Sequence, residues 1–202
     1  MAHTYKNNPI DLPQVFSTIA AKTFSAIMPE LNTNLSSSMV PLFLHGTTLE
    51  IVKELEVMSN DYQKKNSRFP LIALIGDPIM DYSKNDLNPT FNGTIIIVNL
   101  TEQTYNSEAR RLRNFIPILR PLYAEFVSQV NKSNLIVHDY GQVFRHKYTE
   151  HYHWGKDGLY GHNGYQLNEF IDGIELSNIE LKLNLPNCLN SGLTGSQTKS
   201  NF

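Results

Sequence analysis

The chain of 202 residues has a single cysteine, Cys188, which excludes an internal disulfide and a metal cage built from thiolates. Cys188 lies in a polar stretch near the end of the sequence, where an idle thiol is expected and not a nucleophile. No apolar run approaches the roughly 20 residues that a membrane-crossing helix needs. Neither charge sign dominates: 17 Lys and Arg stand against 19 Asp and Glu, a formal net charge of -2. That balance excludes a global attraction to nucleic acid or to an anionic membrane. There is no glycine-rich phosphate loop of either common spacing and no H-E-x-x-H zinc motif. Internal repeats are absent. The first residues, Met1 to Asn8, are polar and lack the apolar core of a secretion signal, so synthesis and use in a cytoplasm, or in an assembly built there, is expected.

What is present is enough apolar residue, 41%, for one domain with a real core. Residues 1–10 are expected to form an arm, 11–185 a single domain and 186–202 a flexible tail. Asp11 is placed to cap a helix with Pro13 in its first turn and Phe16, Ile19, Ala20, Thr23 and Ile27 on one face, ending at Pro29. A loop is expected over 30–46, with a short apolar piece at Val40–Leu44. Thr47 and Glu50 fit a capping box, followed by a helix to about Lys65 that buries Ile51, Leu55, Met58 and Tyr62. The apolar run at 70–75 and the β-branched run Thr94–Leu100 read as central strands, separated by a long loop over 77–93. Ser107 caps a further helix whose stripe is Leu112, Phe115, Ile116, Leu119, Tyr123, Phe126 and Val130, with a kink, or two helices meeting, near 117–121 at Pro117 and Pro121. Short strands at Leu135–His138 and Gln142–Tyr148, a loop over 150–168, and a strand over Phe170–Leu185 with a turn or bulge at Asp172-Gly173 complete the reading. The class is α/β (α+β), a mixed sheet flanked by helices.

Evidence for chemistry is thin. Leu74-Ile-Gly-Asp-Pro78 resembles the Gly-Asp-Ser block of SGNH-type hydrolases, but Pro78 stands where the serine belongs and brings neither a nucleophile nor an N–H. A strand ending in a Gly-Asp-Pro turn accounts for it. His146, His151, His153 and His162 fall within residues 138–162. His151 and His153 would share one face of a strand as a metal pair, which makes a metal-dependent enzyme the alternative reading. The dense aromatics around them fit a contact loop better. Arg110, Arg111, Arg113 and Arg120 form the only basic cluster, with Arg110 and Arg113 on one helix face and Arg111 on another. No catalytic residue and no cofactor is expected.

The order Pro70-Leu-Ile-Ala-Leu, Thr94-Ile-Ile-Ile-Val, Thr104-Tyr-Asn-Ser-Glu108 and Phe115-Ile-Pro-Ile-Leu-Arg-Pro-Leu-Tyr123 resembles neck and tail-completion proteins of tailed phages, including crAss-like and other Bacteroidetes phages. Asn168–Leu183 is similar to theirs as well, so the likeness spans roughly 47–185. The order of elements also resembles the tail-terminator fold. The resemblance implies a structural virion protein: one subunit of a homo-oligomeric ring, six- or twelvefold, that joins capsid to tail beside portal, neck and tail proteins. Phage DNA would pass through the lumen without sequence-specific binding, which suits a mildly negative chain, and no membrane is involved. Such a ring needs head-to-tail contacts. Arg110, Arg111, Arg113, Tyr152, Trp154 and Tyr160 are the side chains expected to make them.

Overall fold

A computed structural model describes residues 11–35, 40–61, 68–81, 90–133, 136–137, 144–154 and 169–183. The expected arm and tail, Tyr62, Tyr160 and His162 lie outside these residues. The elements are α1 (Leu12–Leu35), β1 (Leu42–Gly46), α2 (Thr48–Asn60), β2 (Leu71–Asp81), β3 (Thr90–Leu100), α3 (Ser107–Arg110), a π-helical segment (Arg111–Leu119), α4 (Arg120–Lys132), β4 (Ile136–Val137), β5 (Arg145–His151) and β6 (Ile171–Leu183). The strands form one six-stranded sheet in the order β1-β2-β3-β6-β4, with β5 also on β6. Among the described strands only β1 and β2 run parallel. The protein is therefore α/β, a mixed sheet with helices on both faces, as expected.

Alternation along the central strands builds the two layers. Ile72, Leu74, Ile95, Ile97, Ile174 and Leu176 face α1, the π segment and α4. Leu71, Ala73, Ile96, Val98 and Ile171 face α2. Both faces are apolar here, so these strands read as continuous apolar runs.

Asp11 caps α1, accepting the Gln14 N–H at 3.1 Å. The helix does not end at Pro29 but continues to Leu35. Met28 and Leu31, 7% and 1% exposed, pack on either side of the proline; their burial offsets the few kcal/mol a mid-helix proline costs. The capping box of α2 forms as expected, and α2 ends at Asn60 with Ile51, Val52, Leu55 and Met58 buried. The expected loop over 30–46 contains β1, whose pairing with β2 draws its short apolar run into the sheet.

Of the expected loop over 77–93, residues 77–81 and 90–93 are strand, and 82–89 lie outside the described residues. β2 passes through a register break between Ile75 and Ile79, with Gly76 at φ 84, and pairs again to Asp81. Two extra residues are absorbed there, which is how Pro78 is accommodated in a strand instead of ending it.

β6 has a bulge of its own. The step from Leu176 to Ile179 lies opposite Ile95 to Gly93, and the step from Ser177 to Glu180 lies opposite Lys147 to Arg145. Asn178 sits at its centre with φ 52, a conformation asparagine tolerates better than most residues. The bulge lies here and not at Asp172-Gly173, both of which pair regularly with β3.

Two helical segments meet at Leu119 and Arg120, within the expected 117–121, and the first of them is widened into a π-helix. Arg120 N–H bonds the carbonyl of Phe115, five residues back, and Pro117 lies inside the widened stretch. Buried Arg110, Asn114, Ile118, Leu122, Phe126 and Val130 recur every four residues. In a regular α-helix, at about 100° per residue, that spacing drifts roughly 200° between Arg110 and Val130. The wider π turns absorb the drift and keep both ends facing the sheet. As a result Leu112 and Ile116, expected in the core, are exposed at 53% and 41%. The cap is Asn106, whose side chain accepts the Ala109 N–H at 2.8 Å; Ser107 is the first helical residue.

Candidate functional site

The basic cluster divides between interior and surface. Arg110 is 0% exposed and belongs to the interior, which corrects its expected place on a contact surface. Its Nη1 donates to Asp172 Oδ1 at 2.8 Å, its Nε to the Tyr105 carbonyl at 2.8 Å and its Nη2 to the Glu102 carbonyl at 2.8 Å. Asp172 is also 0% exposed. Its second oxygen accepts from Asn114 Nδ2 at 3.0 Å, and Asn114 Oδ1 accepts from Asn99 Nδ2 at 2.9 Å. The His153 N–H donates to Asp172 Oδ1 at 3.0 Å. A buried ion pair of this kind is tolerable because its polar atoms are satisfied by further bonds. It ties together the end of β3, the 101–106 connection, the start of the long helix, β6 and the turn after β5.

Outside this lock the helix presents the remaining arginines. Arg111 grips Glu108 with two bonds, 2.8 Å from Nε and 2.7 Å from Nη2. Arg113 lies 4.9 Å from the Tyr105 ring centre and donates to its hydroxyl at 2.9 Å. Arg120 reaches across to β5 and holds Glu150 at 2.8 and 3.2 Å. Glu150 also accepts from Tyr148 at 2.6 Å and Tyr152 at 3.2 Å. Burial pushes the Glu150 carboxyl up, but the bonds from Arg120 and Tyr148 outweigh it and hold it below the ordinary range. Burial, then the Glu150 carboxylate, push the Tyr148 and Tyr152 hydroxyls up. Tyr152 also packs on Phe115, with ring centres 4.4 Å apart.

The described candidates His146, His151 and His153 do not converge. His146 lies between Tyr123 and Phe144. Its Nδ1 is 3.1 Å from the Phe144 carbonyl, which can only accept, so Nδ1 carries the proton and Nε2 accepts from Tyr123 at 2.8 Å. Burial holds this imidazole below its ordinary value. His151 ends β5, stacks on Trp154 at 4.3 Å and bonds Glu175 at 2.8 Å. His153 follows in a turn at φ 57, so the two residues do not share the strand face that a metal pair requires. Among the described residues no three His, Cys, Asp or Glu side chains gather as ligands would.

Trp154, another expected contact residue, is half-buried on the α2 side of the sheet, over Gly173. A Cβ at 173 would lie 2.6 Å from Trp154 Cε3 and 2.7 Å from Val98 Cγ1. Gly173 is therefore a seat for the indole, not a turn residue. The gap between α2 and the sheet is about 10 Å³ and apolar, room for at most one water, and it offers no ligand site.

The residues missed in the sequence are Asp172, Asn114 and Asn99, each polar beside at least one apolar residue, and the outward pair Leu112 and Ile116. The described residues contain no helix long and apolar enough to cross a membrane. No family model, no curated protein and no solved structure matches the chain.

Proposed function

We propose that the chain is a structural virion protein, a ring-forming subunit of a phage neck or tail terminator that joins capsid to tail and lets DNA pass. The resemblance of residues 47–185 motivates this reading. The observation that carries it is the outward side of the π segment. Leu112 and Ile116 are exposed there, flanked by Arg111 and Arg120. The opposite side of the same segment is locked through Asn114 and the adjoining Arg110 to Asp172. A rigid element with an apolar centre and an arginine rim suits protein contact, where preorganisation lowers the cost of binding. The test is assembly. Purified alone at high concentration, or co-expressed with portal or tail-tube protein, the chain is expected to form closed rings visible by electron microscopy. A chain that stays monomeric in both settings refutes the reading.

A further inference from the structure

The helical stretch from Arg110 to Val130 carries two core stripes in one sequence. The first is the one observed. It brings Arg110 and Asn114 inside, 0% and 3% exposed, and leaves Leu112 and Ile116 outside. The second is apolar apart from a tyrosine hydroxyl: Leu112, Phe115, Ile116, Leu119, Tyr123, Phe126 and Val130. At about 100° per residue this second stripe spans roughly 100° of arc, the face a regular α-helix would bury. Arg110 and Asn114 would then lie about 150° or more from its middle, on the solvent side. Both stripes include Phe126 and Val130, so α4 is common to them and the difference lies upstream, in the π segment.

The polar stripe therefore has to be held inside against an apolar one. The wide π turn is the rarer helical form, and here it leaves two large apolar side chains exposed. The bonds that hold it converge on one carboxylate. Asp172 accepts from Arg110 Nη1 at 2.8 Å and from Asn114 Nδ2 at 3.0 Å. From the same position Arg110 also reaches the carbonyls of Tyr105 and Glu102. Pro117 weighs against a regular helix because it lacks a donor. Yet α1 runs on as an α-helix through Pro29, so a mid-helix proline does not forbid one in this chain.

We infer that residues 110–119 are a two-register element and that Asp172 selects the register. With the carboxylate in place the buried guanidinium is neutralised and the wide register holds. Without it that register carries an unpaired buried charge. The upstream half then turns, Arg110 reaches solvent, and Leu112 and Ile116 go under cover. The Leu112–Ile116 face is thus offered to the outside only while Arg110 is held within. This is the face named for ring contact, but the register does not depend on assembly and is tested on dilute chain.

Cys188→Ser removes the only thiol. Leu112→Cys or Ile116→Cys then adds a single reporter, at positions 53% and 41% exposed. Maleimide labelling is timed for each reporter with Asp172 present and with Asp172→Asn, after a cooperative urea transition has shown each chain folded. With Asp172→Asn both thiols should react at least tenfold more slowly, the rate expected when the exposed register holds no more than about a tenth of the molecules. Unchanged or faster labelling at either position overturns the inference, because a helix merely loosened by loss of the lock exposes both thiols as much or more. If Asp172→Asn has no cooperative transition, Asn114→Asp replaces it. That change sets a second carboxylate against Asp172 and drives position 114 outward, and the same rates decide. Labelling reads the register and electron microscopy reads the ring, so the failure of either is seen apart from the other.

Discussion

Asp172 shows how much one side chain can hold. It accepts from Arg110, Asn114 and the His153 N–H, joining three parts of the chain at a point no water reaches. Asp172→Asn leaves the Arg110 charge buried without its partner, and about 3–5 kcal/mol of stability should be lost, read as a lower urea midpoint. Gly173→Ala should cost about 1–3 kcal/mol by forcing Trp154 from its seat, with a red-shifted emission from this lone tryptophan as the sign. His146 supplies a pH dependence. Its folded value lies below the ordinary imidazole value of 6.5, so just below that pH the unfolded chain binds more protons than the folded one. Stability should therefore rise with pH through that window, and His146→Gln should flatten the rise in a series of urea titrations. None of these roles was legible beforehand. Asp172-Gly173 looks like a turn because those residue types favour turns, and only partners distant in sequence, Arg110 and Asn114 at 62 and 58 positions for Asp172 and Trp154 and Val98 for Gly173, make them a lock and a seat.

Among the elements, those governed by local rules were readable and those governed by distant packing were not. The capping box of α2 is local: Thr47 and Glu50 satisfy each other's neighbouring N–H groups, and the Thr47 backbone and hydroxyl hold the Glu50 carboxyl below its ordinary value. Thr47→Ala should cost about 1 kcal/mol, measurable by chemical denaturation. The central strands were equally plain from their β-branched runs. The junction near 117–121 was readable from Pro117 and Pro121, but the π character was not, because it follows from the four-residue spacing of core contacts, which calls for a wider turn. The same shift turns Leu112 and Ile116 outward, although their spacing reads as core. α1 outran Pro29 for a related reason: its far end has Leu31 to bury.

The whole molecule is a sheet with unlike sides. One carries α1, the π segment and α4; the other carries α2 and the indole. The edge at β5 bears Arg145, Lys147 and Glu150, charges that discourage strand-to-strand joining, while β1 is only five residues long. Helix faces are then the better candidates for contact between copies. An assembly rimmed by exposed charges should weaken as salt rises, because screening acts over about 8–10 Å. Sedimentation across an ionic-strength series should show this; salt-insensitive association would point to an apolar contact without a charged rim.

The extra residue at Asn178 has one more consequence. Before it, even-numbered residues of β6 face α1 and α4; after it, odd-numbered ones do, as Ile174 and Leu176 give way to Ile179 and Leu181. The strand thus works like a message with a frameshift in the middle. A substitution at this exposed position changes one letter; deleting Asn178 would remove the bulge and leave Leu176, Ile179 and Leu181 in plain alternation on the same face, whereas adding a residue beside it, with the bulge still absorbing one, would send Glu180 and Lys182 inward. Loss of this one residue is therefore expected to be tolerated better than gain of another.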